Sequence, residues 1–334
     1  MNLTLPPYPN RLSIKTIDMH TGGEPLRVIT GGYPVIEGAN VLERRRYVEK
    51  NLDHLRTSLM WEPRGHADMY GCLIVPPNDE GAAFGVIFMH NAGYSSMCGH
   101  ATIALGRLAK ILKWVDTDVF HIDAPCGRLK ITVSDDNVSF IGVPSFVLHK
   151  NRKINLINGN SFEFDIAYGG AFYAYVSVKE DMLPLTPDNY DKIKKLGGEI
   201  KQAIKNSGLS IDHPFEPDLS FLYGTIFIGG PITDGVDSRN VCVFADHEVD
   251  RCPTGSGVMG RMALHYAQGE LNKNESMLIE SILGTVFTGE VLEETNFGPY
   301  PAVIPKITGN AYITGEHTFL IDPSDPLRNG FLLS

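Results

Sequence analysis

The chain has 334 residues, 43% hydrophobic and 20% charged, a balance that suits a folded globular protein and a length that suits two cores better than one. A formal net charge of −10 without a basic stripe argues against a nucleic-acid partner, and no stretch reaches the roughly 18 apolar residues of a membrane helix. The opening MNLTLPPYPNRL lacks the basic and apolar regions of a signal peptide, so a cytoplasmic location is expected.

In chain order, residues 14–18 read as the first strand. Val41, Val48, Leu52, Leu55 and Leu59 then recur at helical spacing and predict one amphipathic helix. Arg44, Arg45 and Arg46 fall within it beside Glu43 and Glu49 and read as its solvated face. Short β-branched and aromatic runs predict strands over 73–75, 85–90, 129–133, 172–178 and 241–245. Ile193, Leu196, Ile200, Ala203 and Ile204 form a second helical stripe, with lysines opposite. The five cysteines, Cys72, Cys98, Cys126, Cys242 and Cys252, are odd in number and form no CxxC pair, which predicts reduced thiols.

Superposed on this order is an internal repeat. A small polar residue followed by Gly opens each copy, at Cys98-Gly99 and at Thr254-Gly255. Small residues follow at the third and sixth places (Ala101 and Ala104, Gly257 and Gly260) and leucine at the tenth (Leu108, Leu264). Downstream, Asp123 to Gly127 and Glu280 to Gly284 begin matching strand-like runs. Duplication implies two similar halves with a site between them, and the small residues imply central helices that other backbone approaches closely.

A helix start carries unpaired N–H groups and partial positive charge, which suits a carboxylate and favours a thiolate on a nearby cysteine. Cys98-Gly99-His100 has this character, preceded by a polar, Gly-containing run at residues 90–97. Thr254, Gly255, Ser256 and Gly257 give the opposite helix start backbone donors for an anion. No Gly-Lys-Ser/Thr element makes this a nucleotide loop. His20, His66 and His90 are scattered without metal-ligand spacing, so no metal site is expected.

Met19-His-Thr-Gly-Gly-Glu-Pro25, Glu62-Pro-Arg-Gly-His-Ala-Asp-Met69, Met97-Cys-Gly-His100 and Asp250-Arg-Cys-Pro-Thr-Gly-Ser-Gly257 together resemble the proline racemase family. The resemblance implies the diaminopimelate-epimerase-like α/β fold: two pseudo-symmetric domains, each a sheet wrapped around a central helix. The expected division is residues 1–150, carrying Cys98, and 151–310, carrying Thr254, with strands in 311–334 returning to the first domain. The resemblance also implies no cofactor, no metal and a small imino acid as partner; a homodimer is the expected assembly.

In racemases of this kind two cysteines flank the α-carbon, and here the second position is Thr254. A threonine hydroxyl is too weak an acid or base for that step near neutral pH. Members with the Cys/Thr pair look like trans-3-hydroxy-L-proline dehydratases, with Cys98 as the single acid/base. Gly99, His100, Gly255 and Ser256 match residues that hold the carboxylate and ring nitrogen. Asp250 matches the partner of the ring ammonium, and Tyr70 and Phe244 match aromatic walls. His20 and His66 would line or brace the cleft, and Cys252 would point elsewhere. The alternatives are a proline racemase or 4-hydroxyproline 2-epimerase, and an imino-acid-binding protein without catalysis.

Overall fold

The computed structural model describes residues 10–333; residues 1–9 of the segment searched for a signal peptide, and residue 334 of the expected C-terminal return, lie outside the described residues. The first half runs β1 (Leu12–Thr21), β2 (Glu24–Gly31), α1 (Val41–Asn51), α2 (Asp53–Met60), β3 (Tyr70–Val75), β4 (Phe84–His90), β5 (Gly93–Ser95), α3 (Gly99–Ile111), β6 (Val119–Ala124), β7 (Gly127–Ser134), β8 (Asn137–Ile141) and β9 (Ser145–Asn155). The second runs β10 (Ser161–Tyr168), β11 (Phe172–Ser177), α4 (Tyr190–Asn206), β12 (Leu222–Gly229), β13 (Ser238–Phe244), β14 (Glu248–Val249), α5 (Gly255–Gln268), β15 (Ser276–Glu280), β16 (Val286–Phe297), β17 (Tyr300–Gly309) and β18 (Ala311–Ile321).

The strands form where side chains alternate between core and solvent. In β7, Leu129, Ile131 and Val133 are buried while Arg128, Lys130 and Ser134 face out. The helical stripes bury likewise: Ile193, Ile200 and Ile204 of α4 are buried, with Asp191 in its first turn and Lys205 in its last, each complementing the helix dipole.

Pairing repeats across the halves. β1–β2 is antiparallel, β2–β3 parallel and β3–β4 antiparallel; β4 also pairs with β5 and, in parallel, with β6. β10–β11 is antiparallel, β11–β12 parallel and β12–β13 antiparallel; β13 also pairs with β14 and, in parallel, with β15. The last strand of each half pairs with the first strand of the other, β9 with β10 and β18 with β1. β17 joins both β8 and β9, which links the halves into one hydrogen-bonded network. α3 packs against β1, β7 and β8, and α5 against β9, β10, β16 and β17. The expected α/β architecture is therefore present, two pseudo-symmetric layers each wrapped around one helix. The expected division at residue 150 falls inside β9.

Two local expectations are corrected. The single helix over residues 41–59 is broken at Leu52 (φ −128°, ψ 13°), where Asn51 ends α1 and Asp53 opens α2; both residue types favour helix ends over interiors. The three arginines are not one solvated face. Arg45 is buried and donates to the Tyr94 carbonyl at 3.3 Å, while Arg46 pairs with Asp218 at 2.6 Å. The apolar side of α1 and α2 still does its packing work: Val41, Val48, Leu55 and Leu59 share a cluster with Leu73, Ile87 and Met89. No helix among the described residues is long and apolar enough to cross a membrane.

Candidate active site

The two repeat helices begin at the same place in space. A Cβ built on Gly99 would lie 2.5 Å from the Gly255 Cα, so the tips of α3 and α5 touch backbone to backbone. Only glycine permits that approach. At such starts the first amides have no partner within the helix, so two sets of donors and two positive dipole ends converge.

The caps differ. Cys98 is extended (φ −144°, ψ 109°), and its Sγ accepts the Ala101 N–H at 3.3 Å, as an N-cap side chain does. Thr254 has φ 64° and ψ 90°, a costly conformation for a β-branched residue. Its N–H donates to Cys252 Sγ at 3.3 Å and its hydroxyl to Asp250 Oδ2 at 2.8 Å, so the side chain turns away from capping α5. Asp250 is fixed from its other oxygen by the Cys252 N–H at 2.8 Å.

A small cavity of about 20 Å³ opens at the touching tips. The residues expected to act on or bind substrate line it: Cys98, Gly99, His100, Asp250, Thr254, Gly255 and Ser256, with Tyr70 and Phe244 as walls. Met97, from the motif ending at His100, completes the lining with Tyr173 and Tyr223, neither of which had been singled out in the sequence. Tyr173 hydrogen-bonds Ser256 Oγ at 2.7 Å, and the buried Tyr223 hydroxyl faces Tyr70 and Ser95. Tyr70 makes a short hydrogen bond to Ser95, another unforeseen residue, and meets the His100 ring edge-on at 4.7 Å.

The electrostatics modify the sequence expectation for Cys98. Burial pushes its thiol well above the usual cysteine range, and the Asp250 charge adds to that; the Ala101 N–H and the Tyr70 hydroxyl oppose it. The helix start alone therefore does not make Cys98 a resting thiolate. Burial also lowers His100 to about 4, so the imidazole 3.2 Å from Cys98 Sγ is neutral at pH 7. Glu24, buried beside Asp250, is raised well above the carboxylate range by burial and then by the Asp250 charge.

The motif at residues 19–25 laces the halves together behind the pocket. Thr21 donates to the His100 carbonyl at 2.9 Å, Glu24 accepts the Arg251 N–H at 2.8 Å, and Gly22 accepts from Thr285 at 2.9 Å. Of the two roles expected for His20 and His66, lining or bracing the cleft, neither residue takes the first. His20 packs on Tyr312 in a separate groove, and His66 is exposed and bonds the neighbouring Ala67 carbonyl. The motif at residues 62–69 contributes through Asp68 instead, which accepts from Tyr190 at 2.7 Å and pairs with Arg251 at 3.6 Å. Cys252 is fully buried and outside the pocket lining. Its sulfur lies with His100 and Asp250 so that one potential ligand atom of each falls within 4.8 Å of the others. These are the residues that could hold a metal ion among those described, and hydrogen bonds already engage each of them.

A sequence profile of the family described as proline racemase matches residues 16–332. A protein of Colwellia psychrerythraea named trans-3-hydroxy-L-proline dehydratase is 46% identical over 331 residues, covering 96% of this chain and 93% of that one. A Burkholderia multivorans protein named 3-hydroxyproline 2-epimerase is 43% identical over 330 residues, covering 96% and 98%. Among solved structures, a hydroxyproline epimerase from Agrobacterium vitis with bound trans-4-hydroxy-L-proline aligns with a TM-score of 0.90 at 29% identity, covering 96% of this chain and 95% of that one.

Proposed function

The chain belongs to the proline racemase family, and we propose that it is a trans-3-hydroxy-L-proline dehydratase, a hydro-lyase that uses Cys98 as its one acid/base. The observation that carries this reading is the Thr254 hydroxyl. Its single proton points at Asp250 Oδ2, 2.8 Å away. What Thr254 can offer the pocket is an oxygen lone pair, far too weak a base or acid to exchange a proton with an α-carbon. Inversion needs an acid on each face; this site has one.

The substrate carboxylate sits between the tips of α3 and α5, on the amides of Gly99, His100, Gly255 and Ser256. Asp250 takes the ring ammonium. That pairing offsets the negative charge that helps hold the Cys98 proton on, so substrate arrival itself favours the thiolate. The thiolate removes the α-proton, and the electrons left behind are stabilised by the carboxylate held on both helix tips. In trans-3-hydroxy-L-proline the 3-hydroxyl lies on the same ring face as the α-hydrogen. The C2=C3 bond forms as the C3–O bond breaks, and the Cys98 thiol returns its proton to the leaving hydroxyl as water. The thiolate is regenerated, and the released enamine tautomerises to Δ1-pyrroline-2-carboxylate.

The test is incubation with trans-3-hydroxy-L-proline, following the cyclic imine by NMR, with L-proline in parallel. The reading expects imine from the first and no D-proline from the second. Racemised proline without imine would make the chain an isomerase; tight binding without turnover, unaffected by Cys98→Ser, would make it a binding protein.

A further inference from the structure

The pseudo-symmetry allows each half to serve as a control for the other. The parallel pairs Phe84↔Ile122 and Gly85↔Asp123 correspond to Ser238↔Ile279 and Arg239↔Glu280. On that register Phe84 corresponds to Ser238 and Val86 to Asn240. The helix repeat likewise equates Leu105 with Arg261, each seven residues past its cap. Behind α3 the three positions are apolar and buried, Phe84, Val86 and Leu105. Behind α5 all three are polar and equally buried, Ser238, Asn240 and Arg261.

They form one network. Arg261 donates from Nη1 to Ser238 Oγ at 3.0 Å and to Asn240 Oδ1 at 2.8 Å, and from Nη2 to His265 Nε2 at 2.7 Å. His265 Nδ1 in turn meets Glu270 at 2.6 Å. Asn240 spends its own Nδ2–H on the Pro253 carbonyl at 3.1 Å. No carboxylate touches the guanidinium among the described residues. A buried cation without a carboxylate is costly, and the other half shows that an apolar trio fills the same place. The network holds two backbone carbonyls, that of Gly229 through Ser238 Oγ at 3.2 Å and that of Pro253 through Asn240, and the second lies directly before Thr254, the residue at φ 64°.

We infer that Arg261 and Asn240 are positioning residues: through the Pro253 carbonyl they hold Thr254 and the start of α5 in the strained conformation that grips the substrate carboxylate. The strain at Thr254 has no counterpart at Cys98, whose cap is extended, and neither does the network. This asymmetry links the two.

The inference takes from the proposed function only the identity of the ligand, and its test does not need turnover. Affinity for pyrrole-2-carboxylate, a planar carboxylate analogue, is titrated in the full chain and in Asn240→Ala, Arg261→Leu and Arg261→Lys, each with its melting temperature. Leucine is the residue the first half already accommodates at this position, and alanine leaves a smaller side chain in place of Asn240; the two variants report independently should either fail to fold. The expected result is affinity weakened about tenfold in Asn240→Ala and Arg261→Leu, the effect of losing one buried hydrogen bond, with Arg261→Lys within about threefold of the parent. Where turnover is present, kcat/KM follows the same order. Folded variants that lower the melting temperature but bind the analogue within twofold of the parent would reduce the network to a core feature and overturn the inference.

Discussion

Gly99 and Gly255 touch where α3 and α5 begin, with 2.5 Å between a Cβ on the first and the Cα of the second. This contact fixes the spacing of two dipole ends and therefore of everything that binds between them. It also sets how Cys98 and Thr254, one residue before each helix, face a common cavity.

Gly99→Ala adds one methyl at that contact with no flexible side chain to yield. The expected outcome is roughly 1–3 kcal/mol of lost stability or an equivalent displacement of the tips. Melting temperature and kcat/KM, measured together, check it. A fall in kcat/KM of about tenfold or more is expected even where the melting temperature holds.

Cys98→Ala removes the only group in the pocket proposed to move the α-proton. Loss of an acid/base of this kind costs about 10²–10⁴-fold in rate. Affinity for pyrrole-2-carboxylate should remain within a few-fold, because the carboxylate is held by the helix tips. Turnover and analogue titration on the same preparation test both halves of this prediction.

Tyr70→Phe removes the hydroxyl that helps lower the Cys98 thiol against burial. The thiolate is the active form, so activity rises with pH through the cysteine pKa. Without the hydroxyl that pKa is higher, and the rising limb of the kcat/KM profile shifts to higher pH. A pH–rate series on the two proteins reads the shift; an unmoved limb would mean that the Tyr70 hydroxyl does not act on the sulfur.

The parts of this site that were legible in the sequence are those written in local order. Cys98-Gly99 and Thr254-Gly255 each carry a cap, a glycine and a helix within a dozen residues, so the chemistry of both tips could be read before any contact was known. Tyr223 in the lining and Ser95 behind Tyr70 were not readable in this way, because their places depend on strand register across β12–β13 and β4–β5. Arg45 illustrates the same limit from the other side. Its helical position suggests solvent, and only the approach of β5, carrying the Tyr94 carbonyl, makes burial tolerable. The burial that raises the Cys98 thiol was not legible, because the helix field is a local property whereas desolvation belongs to the closed pocket. The touching of Gly99 and Gly255, distant in sequence, follows from folding both halves around one cavity.

Thr254→Val keeps the branched shape and removes the proton given to Asp250. It leaves a buried carboxylate oxygen short of a donor, at a cost of about 1–3 kcal/mol or more because the group is charged. The expected effect is a raised KM, since Asp250 is the proposed ammonium partner. Thr254→Cys tests the other property of the position. A thiol there supplies the missing acid, and the α-carbon should begin to invert, seen as the C2 epimer of the substrate in chiral chromatography.

One sulfur serving one face leaves a stereochemical signature, read by incubating the wild-type protein with trans-3-hydroxy-L-proline in D2O and stopping before completion. The expected product is Δ1-pyrroline-2-carboxylate, with the remaining substrate still of L configuration at C2 whether or not it has taken up deuterium there. Accumulation of cis-3-hydroxy-D-proline carrying deuterium at C2, at a rate comparable to imine formation, would contradict it.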